Sequence, residues 1–281
     1  MHLKPARSLV ACVEPSQWIP TRTVRLSIWL HAFAILTLIV CPGWWYWTLA
    51  TLLGNHLLLL AFGVSPRSKL LGQNLVTLPR HSRESGFVAL TFDDGPDPYV
   101  TPLVLDLLDV HNAKASFFCI AQRAIAHPEI VQDIVRRGHS VENHSYRHSN
   151  VFALYLPASL TREIAEAQSV IESITGRTPQ FFRAPMGLRS PLLDPVLARS
   201  ALRFVSWTRR GLDSCSRRPA TVLRRLTHRL AGGDVILLHD GSCARTLDGD
   251  PVVLAVLPLL LEQLVDRGLR PVSLPIALAD A

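Results

Sequence analysis

The chain has 281 residues, 48% of them hydrophobic and only 18% charged, with a mean hydropathy of +0.24. That content excludes intrinsic disorder and exceeds what an ordinary soluble enzyme needs. The net charge of +7 does not mark a nucleic-acid binder: residues 1–80 hold seven Lys/Arg against one acid, whereas residues 81–281 hold 22 against 21. A nucleic-acid-binding domain would carry the excess itself.

The basic excess flanks a run without charge from Leu26 to Gly63, broken at Pro42-Gly43. As helices at ~1.5 Å per residue, Leu26–Cys41 would reach about 24 Å and Trp44–Gly63 about 30 Å, the thickness of a hydrocarbon core. Trp44, Trp45, Tyr46 and Trp47 gather at the break, as aromatics do at a membrane interface, and Arg22, Arg25, Arg67 and Lys69 stand at the outer ends. Residues 1–64 are therefore expected to anchor the chain, meeting the lipid bilayer through residues 26–63. The expected form is a helical hairpin with both ends in the cytoplasm. A single span with the remainder outside, a cleaved signal peptide and a buried hairpin of a soluble protein are the alternatives. Residues 65–86, with Pro66, Gly72, Pro79 and Gly86, read as a juxtamembrane linker. Cys12, Cys41, Cys119, Cys215 and Cys243 are odd in number and widely spaced, which argues against a disulfide framework or zinc ribbon.

Residues 87–281 alternate short apolar runs with helical stretches. Strands are expected at Phe87–Phe92, Ala115–Ile120, His139–Glu142, Gln180–Phe182, Leu202–Trp207, Asp234–Leu238 and Leu269–Leu274. Helices are expected at Thr101–Val110, Pro128–Arg137, Ser159–Thr175, Pro191–Ser200, Ala220–Leu230 and Val252–Arg267. Such alternation means parallel βαβ units, most simply an α/β barrel of about seven strands with its chemistry at the C-terminal strand ends.

Unusual polar residues sit at those ends. Asp93-Asp94-Gly95-Pro96 follows the first strand, and adjacent carboxylates can there serve as metal ligand and general base. Their bland alternative is an N-cap pair for the next helix. His144 and His148 are four apart, a spacing that joins two imidazoles on one face of a helical turn and suits zinc or a related ion. Position two of that segment is Ser145, so the zincin motif is absent. A third ligand must come from elsewhere, and Asp94 is the obvious carboxylate.

Taken together, Asp93-Asp94-Gly95-Pro96 and His144-Ser145-x-x-His148 resemble the first two motifs of the polysaccharide deacetylase (NodB-homology) family. Arg183-Ala184-Pro185-Met186-Gly187 is similar to its third motif, Trp207 through Asp213 partly to its fourth, and Leu237-Leu238-His239-Asp240 to its fifth. The resemblance spans roughly Phe87–Pro275 and implies a distorted (β/α) barrel as catalytic domain, residues 87–281. It implies one divalent metal ion, zinc first and cobalt, nickel, iron or manganese after it, held by Asp94, His144 and His148. It further implies Asp93 as general base and His239 as general acid. Arg183 would orient the base, Asp213 would tune the acid, the Met186 amide would receive the oxyanion, and Leu237 would line the pocket for the acetyl methyl. The implied activity is carbohydrate N-deacetylation, the hydrolysis of a linear amide on an N-acylated amino sugar. The substrate would be a polysaccharide, an oligosaccharide or a lipid-linked glycan at a bacterial inner membrane.

Some positions depart from the family. The fourth motif usually carries two aspartates and a closing tryptophan; here Arg210, Asp213 and Ser214 stand there, and Met186 replaces a usual aromatic. The alternative function is a catalytically silent carbohydrate-binding protein on the same fold, against which Asp93 and His239 speak. His111, His127, His139 and His228 read as structural or exposed, and Arg209-Arg210 as loop charges. No nucleic-acid partner is expected and no protein partner is evident.

Overall fold

The computed structural model describes residues 17–279; Cys12 and the basic leader lie outside them. It opens with two long helices, α1 (Arg22–Val40) and α2 (Trp45–Gly63), joined by a 3-10 turn at Pro42–Trp44. Thr21 caps α1 by accepting the Val24 N–H. At ~1.5 Å per residue each helix is about 28 Å long, and both are long and apolar enough to cross a membrane. Their large side chains are not gathered on one buried stripe: Leu26, Trp29, Phe33, Leu36, Leu53 and Leu57 are all exposed. A core helix of a soluble protein would bury such residues. The helices touch through a polar seam, where Asn55 Nδ2 donates to Ser27 Oγ at 2.9 Å and the His31 and His56 rings meet edge-on.

The remaining elements, in chain order, are α3 (Arg80–Glu84), β1 (Phe87–Asp93), α4 (Val100–Val110), β2 (Ser116–Cys119), α5 (Ala121–Ala126), α6 (Pro128–Arg136), β3 (Ser140–Asn143), α7 (Pro157–Thr175), β4 (Phe181–Phe182), α8 (Leu193–Arg199), β5 (Arg203–Phe204), β6 (Arg209–Arg210), α9 (Pro219–Thr227), β7 (Val235–His239), α10 (Val252–Asp266), β8 (Arg270–Val272) and α11 (Leu274–Leu278). All the strands pair in parallel, in the order β5-β4-β3-β2-β1-β7-β6, with β8 added against the start of β1. β1 is central because, Thr91 apart, it is apolar on both faces until it reaches Asp93, which suits a parallel strand covered on both sides. Asp97, not the Asp93-Asp94 pair, caps α4 by accepting the Tyr99 and Val100 N–H groups. α7 stops at Gly176, whose φ of 66° is left-handed.

The sheet curls because β5 and β6 are two halves of one bent run. It leaves β4 at Phe204 and joins β7 at Arg209, giving a distorted barrel. One strand was expected at Leu202–Trp207; the bend at 205–208 cuts it short at Phe204, and Arg209-Arg210 forms β6 instead of a loop. The chain between hairpin and barrel is partly built into the wall. Leu75 N–H donates to Phe204 O, Leu78 N–H to Gly233 O, and Leu71, Val76 and Leu78 are buried.

Two apolar layers hold the barrel. Phe92, Phe117, Leu105 and Leu260 pack between sheet and outer helices, with the Phe92 and Phe117 rings stacked at 5.0 Å. Ala89, Phe118, Phe181, Val205 and Val235 fill the interior, floored by Leu78 and Leu274. The loops that follow β1, β3, β4 and β7 are left at the C-terminal end of the strands.

Candidate active site and metal centre

β1 and β7 set the site by register. Asp93 and His239 are paired positions at the ends of neighbouring strands, so both side chains face the same side of the sheet. Asp94 follows in a left-handed conformation, φ 70°, which turns its side chain away from that of Asp93. Arg123 of α5 fixes this corner: its Nη1 donates to Asp94 O at 2.6 Å and its Nη2 to Ser242 Oγ at 3.2 Å.

The expectation of a helical turn for His144 and His148 is overturned. Both lie in a loop after β3, with Ser145 at φ 66° and His148 at φ 55°, values a right-handed helix excludes. The turn is held by side chains. Asn143 Oδ1 accepts the Ser145 N–H, Ser145 Oγ the His148 N–H, and buried Glu163 the Arg147 N–H.

The imidazoles nevertheless converge. His144 Nε2 lies 3.3 Å and His148 Nε2 3.1 Å from Asp94 Oδ1. His144 Nδ1 is 2.8 Å from the Arg183 carbonyl oxygen, an acceptor only, so a neutral His144 carries its proton on Nδ1 and presents the Nε2 lone pair. Asp94 Oδ1 is buried and receives no hydrogen bond. Tetrahedral donors about 2.0–2.2 Å from one ion stand roughly 3.3–3.6 Å apart, so these residues fit a divalent cation. Burial would push Asp94 up, but the nearby His144, His148 and His239 imidazoles hold its carboxyl well below the usual range. Burial also opposes charging of the rings. For His144 the carboxylates of Asp93 and Asp94 prevail and raise it; His148, facing His144 as well, is lowered.

Beside these donors stand two further paired groups, Asp93 with Arg183 and His239 with Asp213. Arg183 is fully buried and stacked on Phe118; its Nη1 donates to Asp93 Oδ1 at 2.5 Å and to Thr91 Oγ1 at 2.9 Å. His239 Nδ1 is 3.0 Å from Asp213 Oδ1, while Asp213 Oδ2 accepts the His239 backbone N–H at 2.7 Å. Burial disfavours the imidazolium, but the Asp213 hydrogen bond and charge raise His239 to about 9. Met186 has φ 59° in a tight turn closed by the Gly187 and Leu188 amides onto Ala184 and Pro185. Leu237 is buried on β7, level with Thr91 of β1 and Arg210 of β6.

Asp240 had been given no role. Its carboxyl is buried beneath Gly95, where any Cβ would strike it, and it accepts the Thr101 hydroxyl at 2.7 Å. Burial pushes it up to about 7. Its adjacency to His239 was the only sequence signal; for Arg123 and Glu163 there was none. Arg209 is occupied by Asp234 and the His228 and Arg229 carbonyls. His139 is structural: Nδ1 accepts the Ala115 N–H, and burial lowers it to about 4.

A curled parallel barrel with Asp-His-His donors beside an arginine-held carboxylate defines a metal-dependent hydrolase. Comparison narrows the class. The polysaccharide deacetylase family model matches residues 80–205. A chitooligosaccharide deacetylase of Azorhizobium caulinodans is 34% identical over 163 residues, 58% of this chain and 77% of that protein. A solved peptidoglycan N-acetylglucosamine deacetylase superposes with a TM-score of 0.67 at 29% identity, covering 74% of this chain and 94% of that one. A family 4 acetyl xylan esterase from Clostridium thermocellum, solved with a cobalt ion, gives 0.61 at 33% identity over 68% and 89%. The chain belongs to the polysaccharide deacetylase family and has that family's divalent-metal site in Asp94, His144 and His148.

Replacing His148 by alanine removes one of three donors. Protein purified with His148→Ala is expected to hold under a tenth of the divalent metal of the parent, measured by plasma mass spectrometry after dialysis. Equal occupancy would place the ion elsewhere.

Proposed function

We propose that the protein is a membrane-anchored, zinc-dependent hydrolase that removes an N-acetyl or formyl group from an amino sugar. The observation that carries this is one arrangement: Asp93, gripped by Arg183, stands beside the three metal donors, and His239 is backed by Asp213. When bound, zinc would supply Lewis acidity toward the acyl carbonyl and lower the pKa of a water from ~15.7 toward ~7.

The chain's own groups move the protons. Asp93 Oδ2, the oxygen not bonded to Arg183 Nη1, takes the proton of the attacking water. Arg183 holds that carboxylate in place through its Oδ1. The Met186 N–H meets the developing oxyanion. His239 holds its labile proton on Nε2, Nδ1 being engaged with Asp213, and gives it to the departing amine, which otherwise leaves very poorly. Leu237 provides an apolar wall for the acyl methyl.

The membrane reading rests on the hairpin. Two spans return the chain to the side on which it began, and Arg22, Arg25, Arg67 and Lys69 at that side favour the cytoplasm. Residues 1–64 then serve as anchor, 65–86 as connector and 87–281 as catalytic domain. An alkaline phosphatase reporter fused after Ala281 is expected to be inactive in intact bacteria; an active fusion would put the domain outside.

Purified full-length protein is expected to release acetate from N-acetylated amino-sugar oligosaccharides, and to stop when chelated. Asp93→Asn and His239→Ala should each lower kcat about 10²–10⁴-fold. Absence of acetate from every sugar tested, with sugar binding retained, would favour the silent binding protein instead.

The acid's pH behaviour follows from its raised pKa. The imidazolium is present below, and lost as pH rises through, about 9. Asp213→Asn removes the partner that raises it, so the falling limb of the kcat–pH profile is expected to move down by a pH unit or more. An unmoved limb would assign it to another group.

A further inference from the structure

The loops that hold the catalytic groups also carry exposed apolar side chains. Tyr99 follows β1, Leu154 and Leu156 follow β3, Met186 and Leu192 follow β4, and Leu247 follows β7. Leu154 is 80% exposed, Leu247 79% and Leu156 69%. These are four separate loops, but each leaves the C-terminal end of a parallel strand, so the topology sets all of them around one mouth. A single exposed leucine needs no account. A set ringing a polar opening is the pattern of an interaction surface.

The hairpin is joined to the same end. The carbonyl of Gly63, the last residue of α2, accepts the Arg189 N–H at 3.0 Å, and Arg189 is three residues beyond Met186. The Arg189 guanidinium donates to Gly72 O, Gln73 O and Asp194, which locks the chain leaving the hairpin onto the loop after β4. Thr21, the cap of α1, donates to Leu70 O at 2.6 Å, so the base of the other helix is held nearby. From there the chain descends along β5 to Gly233, at the closed end. The helices that meet lipid are thus fastened to the rim of the mouth.

We propose that this mouth is seated on the bilayer, with the leucine-tipped loops in its headgroup–acyl boundary, and that the substrate is an N-acylated amino sugar carried by a membrane lipid. This rests on the hydrolase and membrane readings above. Apolar side chains in such a boundary contribute through the area they bury, roughly tenfold or more in partitioning for each fully buried leucine. A hairpin fixed at the rim limits the loops to the depth its ends allow. The reacting amide then needs to rise only a short way from the surface to meet Asp93 and His239, and the lipid stays in the membrane throughout.

The test uses full-length protein in phospholipid vesicles with two substrates, a soluble N-acetylglucosamine oligosaccharide and a vesicle-borne polyprenyl-phosphate N-acetylglucosamine. The triple variant Leu154→Ser, Leu156→Ser, Leu247→Ser is expected to raise KM for the vesicle-borne substrate at least tenfold while kcat/KM for the soluble one stays within twofold. Equal loss on both, or loss on neither, overturns the proposal. If the unaltered protein cleaves only the soluble sugar, the proposal fails and the hydrolase reading stands; if it cleaves neither, both fail. A second measurement is independent of activity. A benzophenone amino acid in place of Leu154 or Leu247 is expected to acquire lipid mass on irradiation. In place of Val110 or Val265, exposed at the far ends of α4 and α10, it is expected to acquire none. Labelling at all four positions, or at none, overturns the seating.

Discussion

Charge compensation beneath the mouth is the constraint around which the catalytic half of the molecule is built. Asp93, Asp94, Glu142, Asp213 and Asp240 are all buried there, and a buried carboxylate without a partner is costly. Each has a different partner. Asp93 faces the buried guanidinium of Arg183, Asp94 two imidazoles, and Asp213 the ring and backbone of His239. Glu142 accepts the Gln180 and Phe181 amides and Asp240 the Thr101 hydroxyl, neither facing a cation of its own, and burial pushes both up to about 7. Five chemically similar groups are thereby given different surroundings: one paired with a guanidinium, one a metal ligand, one bonded to an imidazole and two held by amides or a hydroxyl. Environment assigns the roles.

Backbone conformation completes that separation. Asp94, Ser145, His148, Met186 and Leu212 all have φ between 55° and 70° without being glycine. Conformations of this kind cost of order 1 kcal/mol or more each and persist where the surroundings over-determine them. Here the surroundings are rigid. Arg123 ties the Asp94 carbonyl to the loop after β7, and the first amides of α5 donate to Ser145 O and Tyr146 O. One short helix therefore braces the loops after β1, β3 and β7 at once, and the three metal donors cannot drift apart without breaking its contacts.

The sequence was legible where one periodicity served one environment. β1 and β7 are continuous apolar runs ending in polar residues, and both were placed to within a residue. α7 was readable from its amphipathic spacing and Gly176. The metal donors were found because their residue types are rare at strand ends, although the helical turn used to relate the histidines does not exist. Left-handed φ values at Ser145 and His148 leave no mark on the sequence when glycine is absent. α5 and α11 are too short for a period to show, and Arg209-Arg210 lacks the apolar content that marks a strand, its pairing being imposed by β7. Arg123 and Glu163 act through backbone atoms of distant residues, a relation that only the fold creates.

The departures from the family pattern bear on how substrate is held. Ser214 stands where a tryptophan usually closes the fourth motif, and Arg210 replaces an aspartate, its guanidinium lying 5.3 Å from the Trp207 ring centroid. Less aromatic wall means less surface on which successive sugars of a polymer could stack. A hydrolase acting on a free chain would need that grip to hold its substrate. One whose mouth rests on the membrane does not, because confinement of enzyme and lipid-borne sugar to one surface raises their effective concentration without added contacts. Grip on remote sugars that is equal before and during reaction would lower KM without raising kcat. The groups proposed to act on the reacting amide — Asp93, Arg183, His239 and Asp213 — are retained in this chain, while Arg210 and Ser214 change the motif that usually supplies the aromatic wall.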